Sequence, residues 1–180
     1  MNEKKSLQPF SEDVVFFDAE FTGHDIVNDQ LMSVGMVSLD GLREVYFELE
    51  YDEAQASDWV CENVVPYLTG KKIKSEEAIK KIVDFCGNTE PHLVATVNQY
   101  DMVFWHKLFA GGDEPIHPIP IDFASMLFAI GLTPAREVDG EKKNFFAQFG
   151  IDTDAYHMHN ALDDARLMRE LYAKLVKKDN

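Results

Sequence analysis

The run DVVFFDAEF, Asp13 to Phe21, is apolar and rich in strand formers, and it predicts a central strand. QLMSVGMVSLDGLREVYFELEY carries two more such runs on either side of Asp40-Gly41, a hairpin turn signal. The first three strands are therefore expected as an antiparallel meander. A helix is expected in SDWVCENVV, interrupted near Pro66. SEEAIKKIVDFCGN predicts another, capped by Ser75, acidic in its first turn and ended at Gly87. HLVATVN, His92 to Asn98, predicts a fourth strand. Helical periodicity then recurs around Tyr100–Ala110, Asp122–Ile130, Glu141–Phe149 and Asn160–Lys177, with AGGDEPIHPIP as a Gly- and Pro-rich loop. A meander followed by alternating strand and helices predicts one mixed α/β domain over 13–180. MNEKKSLQPF lacks the apolar region of a signal peptide, and 1–12 is expected to be a mobile lead-in.

Composition narrows the chemistry. The 180 residues are 46% hydrophobic, enough for one real core. No segment approaches the length of an apolar membrane span. Two cysteines without metal spacing, Cys61 and Cys86, suit a reducing cytoplasm. The net charge of −15 argues against bulk electrostatic capture of DNA or RNA, so a nucleic-acid partner would be held locally or through metal ions.

The informative acids stand where the pattern calls for apolar residues. Along the first strand, Val14, Phe16, Asp18 and Glu20 share one face, and Val15, Phe17, Ala19 and Phe21 the other. Two carboxylates this close repel unless a cation joins them, although an isolated Asp-x-Glu is more simply a strand reaching solvent. Asp101 shares a helical stripe with Trp105 and Leu108. Taken alone it is a first-turn aspartate favoured by the helix dipole. In YHMHNALDDARLMREL, Asn160 is a good N-cap. Asp164 then lies on the stripe of Met168, Leu171 and Leu175, whereas Asp163 faces water, able to cap or to pair with Arg166. His159 lies just before the cap and His157 two residues further out. Four such acids suit hard divalent cations, Mg²⁺ or Mn²⁺. Two of them roughly 3.5–4 Å apart would clamp the attacking and leaving oxygens of a phosphodiester. A neutral histidine beside them could take a proton from the attacking water. No Gly-rich phosphate loop is present.

The ordered set FDAEFTG, NQYDMVFWHKLF and HNALDDA resembles the DEDDh (DnaQ-like) 3′–5′ exonuclease superfamily, over Val14 to about Tyr172. LMSVGMVS resembles that family's second strand. The stretch SDWVCENVVPYL and the short length resemble small bacterial and phage exoribonucleases. The resemblance implies an RNase H-like fold, two metal ions per site, and hydrolysis of a single-stranded 3′ end to nucleoside 5′-monophosphates. It maps the catalytic set onto Asp18, Glu20, Asp101, His159 and Asp164. Asp18 would bridge both metals, Glu20 and Asp164 would bind one, and Asp101 would act partly through water. Glu20 would also meet the terminal 3′-OH, and Phe21 and Thr22 would contact the last nucleotide. A base stacked on Phe21 fits single-strand binding. There are two departures. The family's Asn four residues before the middle Asp is missing, since Asn98 lies three before Asp101, and no basic patch is evident. The expected partners are single-stranded RNA or DNA 3′ ends, RNA preferred, with no membrane and with a homodimer left open. The alternatives are a DNA exonuclease of proofreading type and a catalytically idle nucleic-acid or protein-interaction module.

Overall fold

Each face of the first long strand carries its own apolar side chains, and this divides the core in two. The structure is a computed structural model and describes residues 6–133 and 141–176. Strands β1 (Val14–Phe21), β2 (Leu31–Ser38) and β3 (Glu44–Leu49) form the antiparallel meander. Two-residue β4 (Lys72–Ile73) joins β3 in parallel. β5 (His92–Ala95) joins β1 in parallel, and two-residue β6 (Ile121–Asp122) joins β5. The six-stranded order is β4-β3-β2-β1-β5-β6, an RNase H-like mixed sheet with helices on both faces.

Val15, Phe17 and Ala19 pack with Ala78, Ile82, Met102 and Trp105 from α2 (Ser75–Cys86) and α3 (Gln99–Phe109). Val14 and Phe16, on the opposite face, pack with α4 (Phe123–Ala129), α5 (Glu141–Ala147) and α6 (Ala161–Leu175). A third, smaller cluster of Met32, Val60 and Val64 seats α1 (Asp58–Asn63), which Ser57 caps.

The hairpin turn falls where Asp40-Gly41 put it. Gly41 has φ +75°, and the Arg169 guanidinium occupies the space a Cβ would need. Arg169 also donates to the carbonyls of Leu39 and Asp40, so α6 pins the turn.

Four expectations change. Lys74, not Ser75, is the cap residue of α2, and Ser75 is its first helical residue. The strand expected to run to Asn98 stops at Ala95, because Val97 turns to φ +56° and donates its N–H to Asp122. Of the segment expected as a mobile lead-in, residues 1–5 lie outside the described residues, and the chain is fastened from Leu7 onward. The Leu7 N–H donates to the Leu175 carbonyl, and Phe10 stacks on Tyr172 at 4.6 Å. Asp163, expected in water, has a side chain only 13% exposed. Arg166 bridges it to Glu44 on β3, and His157 donates its N–H to it. Among the described residues no helix is long and apolar enough to cross a membrane.

Candidate active site

Glycine at position 35 lets the last helix reach the carboxylates. In the meander Gly35 stands opposite Asp18. A Cβ there would come within 2.3 Å of the backbone of Ala161 and Leu162. With no side chain in the way, the first turn of α6 lies directly on β2. His159, just before that turn, and Asp164, within it, are thereby carried to the end of β1.

The turn before α6 is bent to suit. His159 adopts φ +64°, a left-handed conformation that few non-glycine residues take and that concentrates at functional sites. Its backbone N–H donates to Asp164 Oδ2 at 2.8 Å. Asn160 caps the helix by accepting from the Asp163 N–H. Potential ligand atoms of Glu20, His159 and Asp164 all lie within 4.8 Å of one another. The irregularity between Glu20 and Phe21 in the β1–β2 pairing falls at this end of the strand.

Asp101 arrives from the opposite layer, in the first turn of α3, and is 6% exposed. Burial pushes its carboxyl up to about 7. Asp18 is raised well above the usual carboxylate range, first by burial and then by the negative charges of Asp164, Glu20 and Asp101. Lys142, whose Nζ lies 3.5 Å from Asp164 Oδ1, pulls Asp18 the other way. Carboxylates that raise one another in this manner lack sufficient positive charge. An all-oxygen set of this kind fits hard divalent cations of the Mg²⁺ or Mn²⁺ type.

These groups share a cleft of about 680 Å³. Aromatic rings stand around its mouth. Trp59 on α1 is 47% exposed and meets the His159 ring edge-on at 5.0 Å. His24 and Tyr100 face each other at 5.2 Å. The five expected catalytic residues therefore all line one cleft. Phe21 reaches its wall, but stacks on Phe104 at 4.2 Å. Thr22 does not fit a substrate contact. It is fully buried, and its hydroxyl donates to Asp29 and accepts from the Gln30 N–H. Its backbone N–H and carbonyl are bound to Gln30 and Ser57. Thr22 shapes the loop that holds His24.

Trp59, His24, Tyr100 and Lys142 were not singled out from the sequence. Lys142 had a usable signal, a cation sharing a helical face with Phe145 and Phe146. The three rings had none, since they meet only through the fold. One buried acid is structural. Glu48 stands in the same cross-strand row as Ser33 and Glu20, yet it accepts from the Thr69 and Gly70 N–H groups and the Tyr46 hydroxyl.

No protein-family model matches the sequence, and a search of curated proteins gave no match. Solved structures do match. The zinc-bound complex of E. coli exonuclease I with single-stranded DNA is 12% identical, with a TM-score of 0.67 over 92% of this chain and 40% of that one. E. coli exonuclease I with a dA16 oligonucleotide is 13% identical, with a TM-score of 0.67 over the same shares. Exonuclease I from Methylocaldum szegediense is 16% identical, with a TM-score of 0.65 over 91% of this chain and 40% of that one. The chain thus spans less than half the length of these neighbours, and at such identity the likeness shows a common fold.

Proposed function

We propose that the chain is a metal-dependent 3′–5′ exonuclease that hydrolyses single-stranded nucleic acid and releases nucleoside 5′-monophosphates. One observation carries this. Asp18, Glu20, Asp101, His159 and Asp164, from three separate stretches of chain, converge on one cleft, where the neighbouring negative charges add to burial in raising Asp18. The fold shared with exonuclease I structures supports the same reading.

Asp18, Glu20, Asp101 and Asp164 would hold two Mg²⁺ or Mn²⁺ ions. When bound, these supply a polarised water and neutralise charge on the leaving oxygen. His159, its backbone tied to Asp164 and its ring backed by Trp59, accepts the water's proton. Glu20 is the carboxylate next to the terminal 3′-OH. The exposed Trp59 ring offers a better stacking face for a base than Phe21, one face of which Phe104 covers.

RNA is the preferred substrate on the resemblance of the Ser57–Leu68 stretch to small exoribonucleases. A DNA substrate is the second reading, favoured by the single-stranded DNA held by the structural neighbours. The test uses 5′-labelled RNA and DNA of one sequence, single-stranded or as blunt duplex, with Mg²⁺, Mn²⁺ or EDTA. A 3′-shortening ladder on single strands, abolished by EDTA and weak on blunt duplex, is expected. Absence of a ladder with every metal would leave an idle binding module of the same fold.

A further inference from the structure

Among the described residues lining the cleft, Lys142 is the one lysine or arginine. On α5 it precedes Phe145 and Phe146 by three and four residues, so it shares their face. Those two rings are buried against the α6 side of the core. Lys143, on another face, pairs with Asp154 instead. An aliphatic stem along an apolar face is ordinary for lysine, with the ammonium usually led out to water. Here it is led to the carboxylates. Nζ stands 3.5 Å from Asp164 Oδ1, with the two side chains 29% and 15% exposed.

Charge counting shows what this cation can do. Four carboxylates balance two divalent ions. A bound phosphodiester adds one negative charge, and more develops on its oxygens as water attacks. Two bound metals would leave that surplus uncompensated, and an ammonium within reach of Asp164 meets it. We propose that Lys142 is a further catalytic residue, its ammonium contacting a non-bridging oxygen of the scissile phosphate; this rests on the exonuclease reading of the same cleft. The ammonium keeps its proton throughout. The water oxygen still bonds to phosphorus, the P–O3′ bond still breaks, His159 still takes the water's proton, and the leaving O3′ takes a proton from solvent water to become the new 3′-hydroxyl. The flexible four-carbon stem lets Nζ move from Asp164 to the phosphate oxygen when a cation engages Asp164.

Lys142→Met tests this, because Met keeps the apolar stem against Phe145 and Phe146. Three quantities are measured: Mn²⁺-linked melting, single-turnover hydrolysis of a 5′-labelled single strand, and calorimetric binding of AMP and dTMP in Mn²⁺. The variant should keep the wild-type Mn²⁺ response. It should lose about 10²-fold in hydrolysis, as when one oxyanion-stabilising donor is removed. It should bind the monophosphates roughly tenfold more weakly. Wild-type hydrolysis and monophosphate binding in Lys142→Met would overturn the proposal. So would tighter Mn²⁺ binding at an unchanged rate, which would make Lys142 a mere competitor for Asp164. If the wild type makes no ladder yet binds monophosphate in a Lys142-dependent way, the exonuclease reading fails and the phosphate contact stands.

Discussion

At the scale of the residue, adjacent Asp163 and Asp164 show how one backbone step decides a role. Asp164 faces the cleft with Glu20 and His159. Asp163 completes a bridge from α6 to β3 through Arg166 and Glu44. Asp164→Asn should therefore abolish both turnover and the Mn²⁺-linked rise in melting temperature. Asp163→Asn should keep both and lose stability by about 1.5–3 kcal/mol, the worth of a hydrogen bond to a charged group. His159→Ala should slow turnover roughly 10²–10⁴-fold while the Mn²⁺ response persists. Turnover and melting of the three single variants decide the matter. An active Asp164→Asn, or an Asp163→Asn deaf to Mn²⁺, would place the helix one residue out. The helical period separated the two aspartates in the sequence and offered Arg166 as a partner of Asp163, but it could not show Glu44 completing the bridge, because that contact joins positions far apart in the chain. Thr22 gave no warning either, since the Asp29 and Gln30 groups that consume it belong to a loop without periodicity.

At the scale of the element, the long strands and helices were legible because burial on one face writes a period of two or near four into the chain. The elements that escaped were β4 and β6, two residues each and too short to show any period. The end of β5 was hidden too, because Val97, a strand former by type, sits at positive φ under a bond to Asp122. Gly35 was invisible in a different way. A glycine inside an apolar strand can mark a bulge or a close approach, and the sequence does not say which. Here it is the seat of α6, and so Gly35→Ala should be costly. The added methyl meets backbone, which cannot swing aside, and the first turn of α6 must lift. Stability should fall by about 1–3 kcal/mol, the usual cost of overpacking. Turnover should fall about 10²-fold, because an ångström of displacement in His159 and Asp164 spoils the reacting geometry. Melting and turnover of Gly35→Ala check both. Wild-type turnover would mean that the contact with Ala161 does not set the site.

At the scale of the whole molecule, the net charge of −15 is not spread evenly in its consequences. Arg166 holds Glu44 below the usual carboxylate range. Burial pushes Asp163 up, but hydrogen bonds from His157 and Arg166 outweigh it. Those two acids stabilise the fold above an unfolded value of about 4, and their contribution is lost only in stronger acid. Asp101, raised by burial to about 7, and Asp18, raised by burial and its neighbours, act in the opposite sense. Between about pH 4 and 7 the folded form binds more protons there than the unfolded chain, so stability declines as pH rises. Metal-free protein in EDTA should melt at a lower temperature at pH 7 than at pH 5, and saturating Mn²⁺ should remove or reverse that slope. Melting that rises from pH 5 to 7 in EDTA would contradict the clustered-acid account. One further feature reaches across the molecule. α6 carries Asp164 in its first turn, and its far end holds both the last described strand bridge, Leu7 with Val176, and the stacked Phe10. Fifteen residues at 1.5 Å each make a rod of roughly 22 Å. The bridge sets Leu7 beside Val176, so the stretch before β1 is packed on the end of that rod. Its opposite turn lines the cleft with Asp164, so one helix spans from the stacked Phe10 to the candidate site.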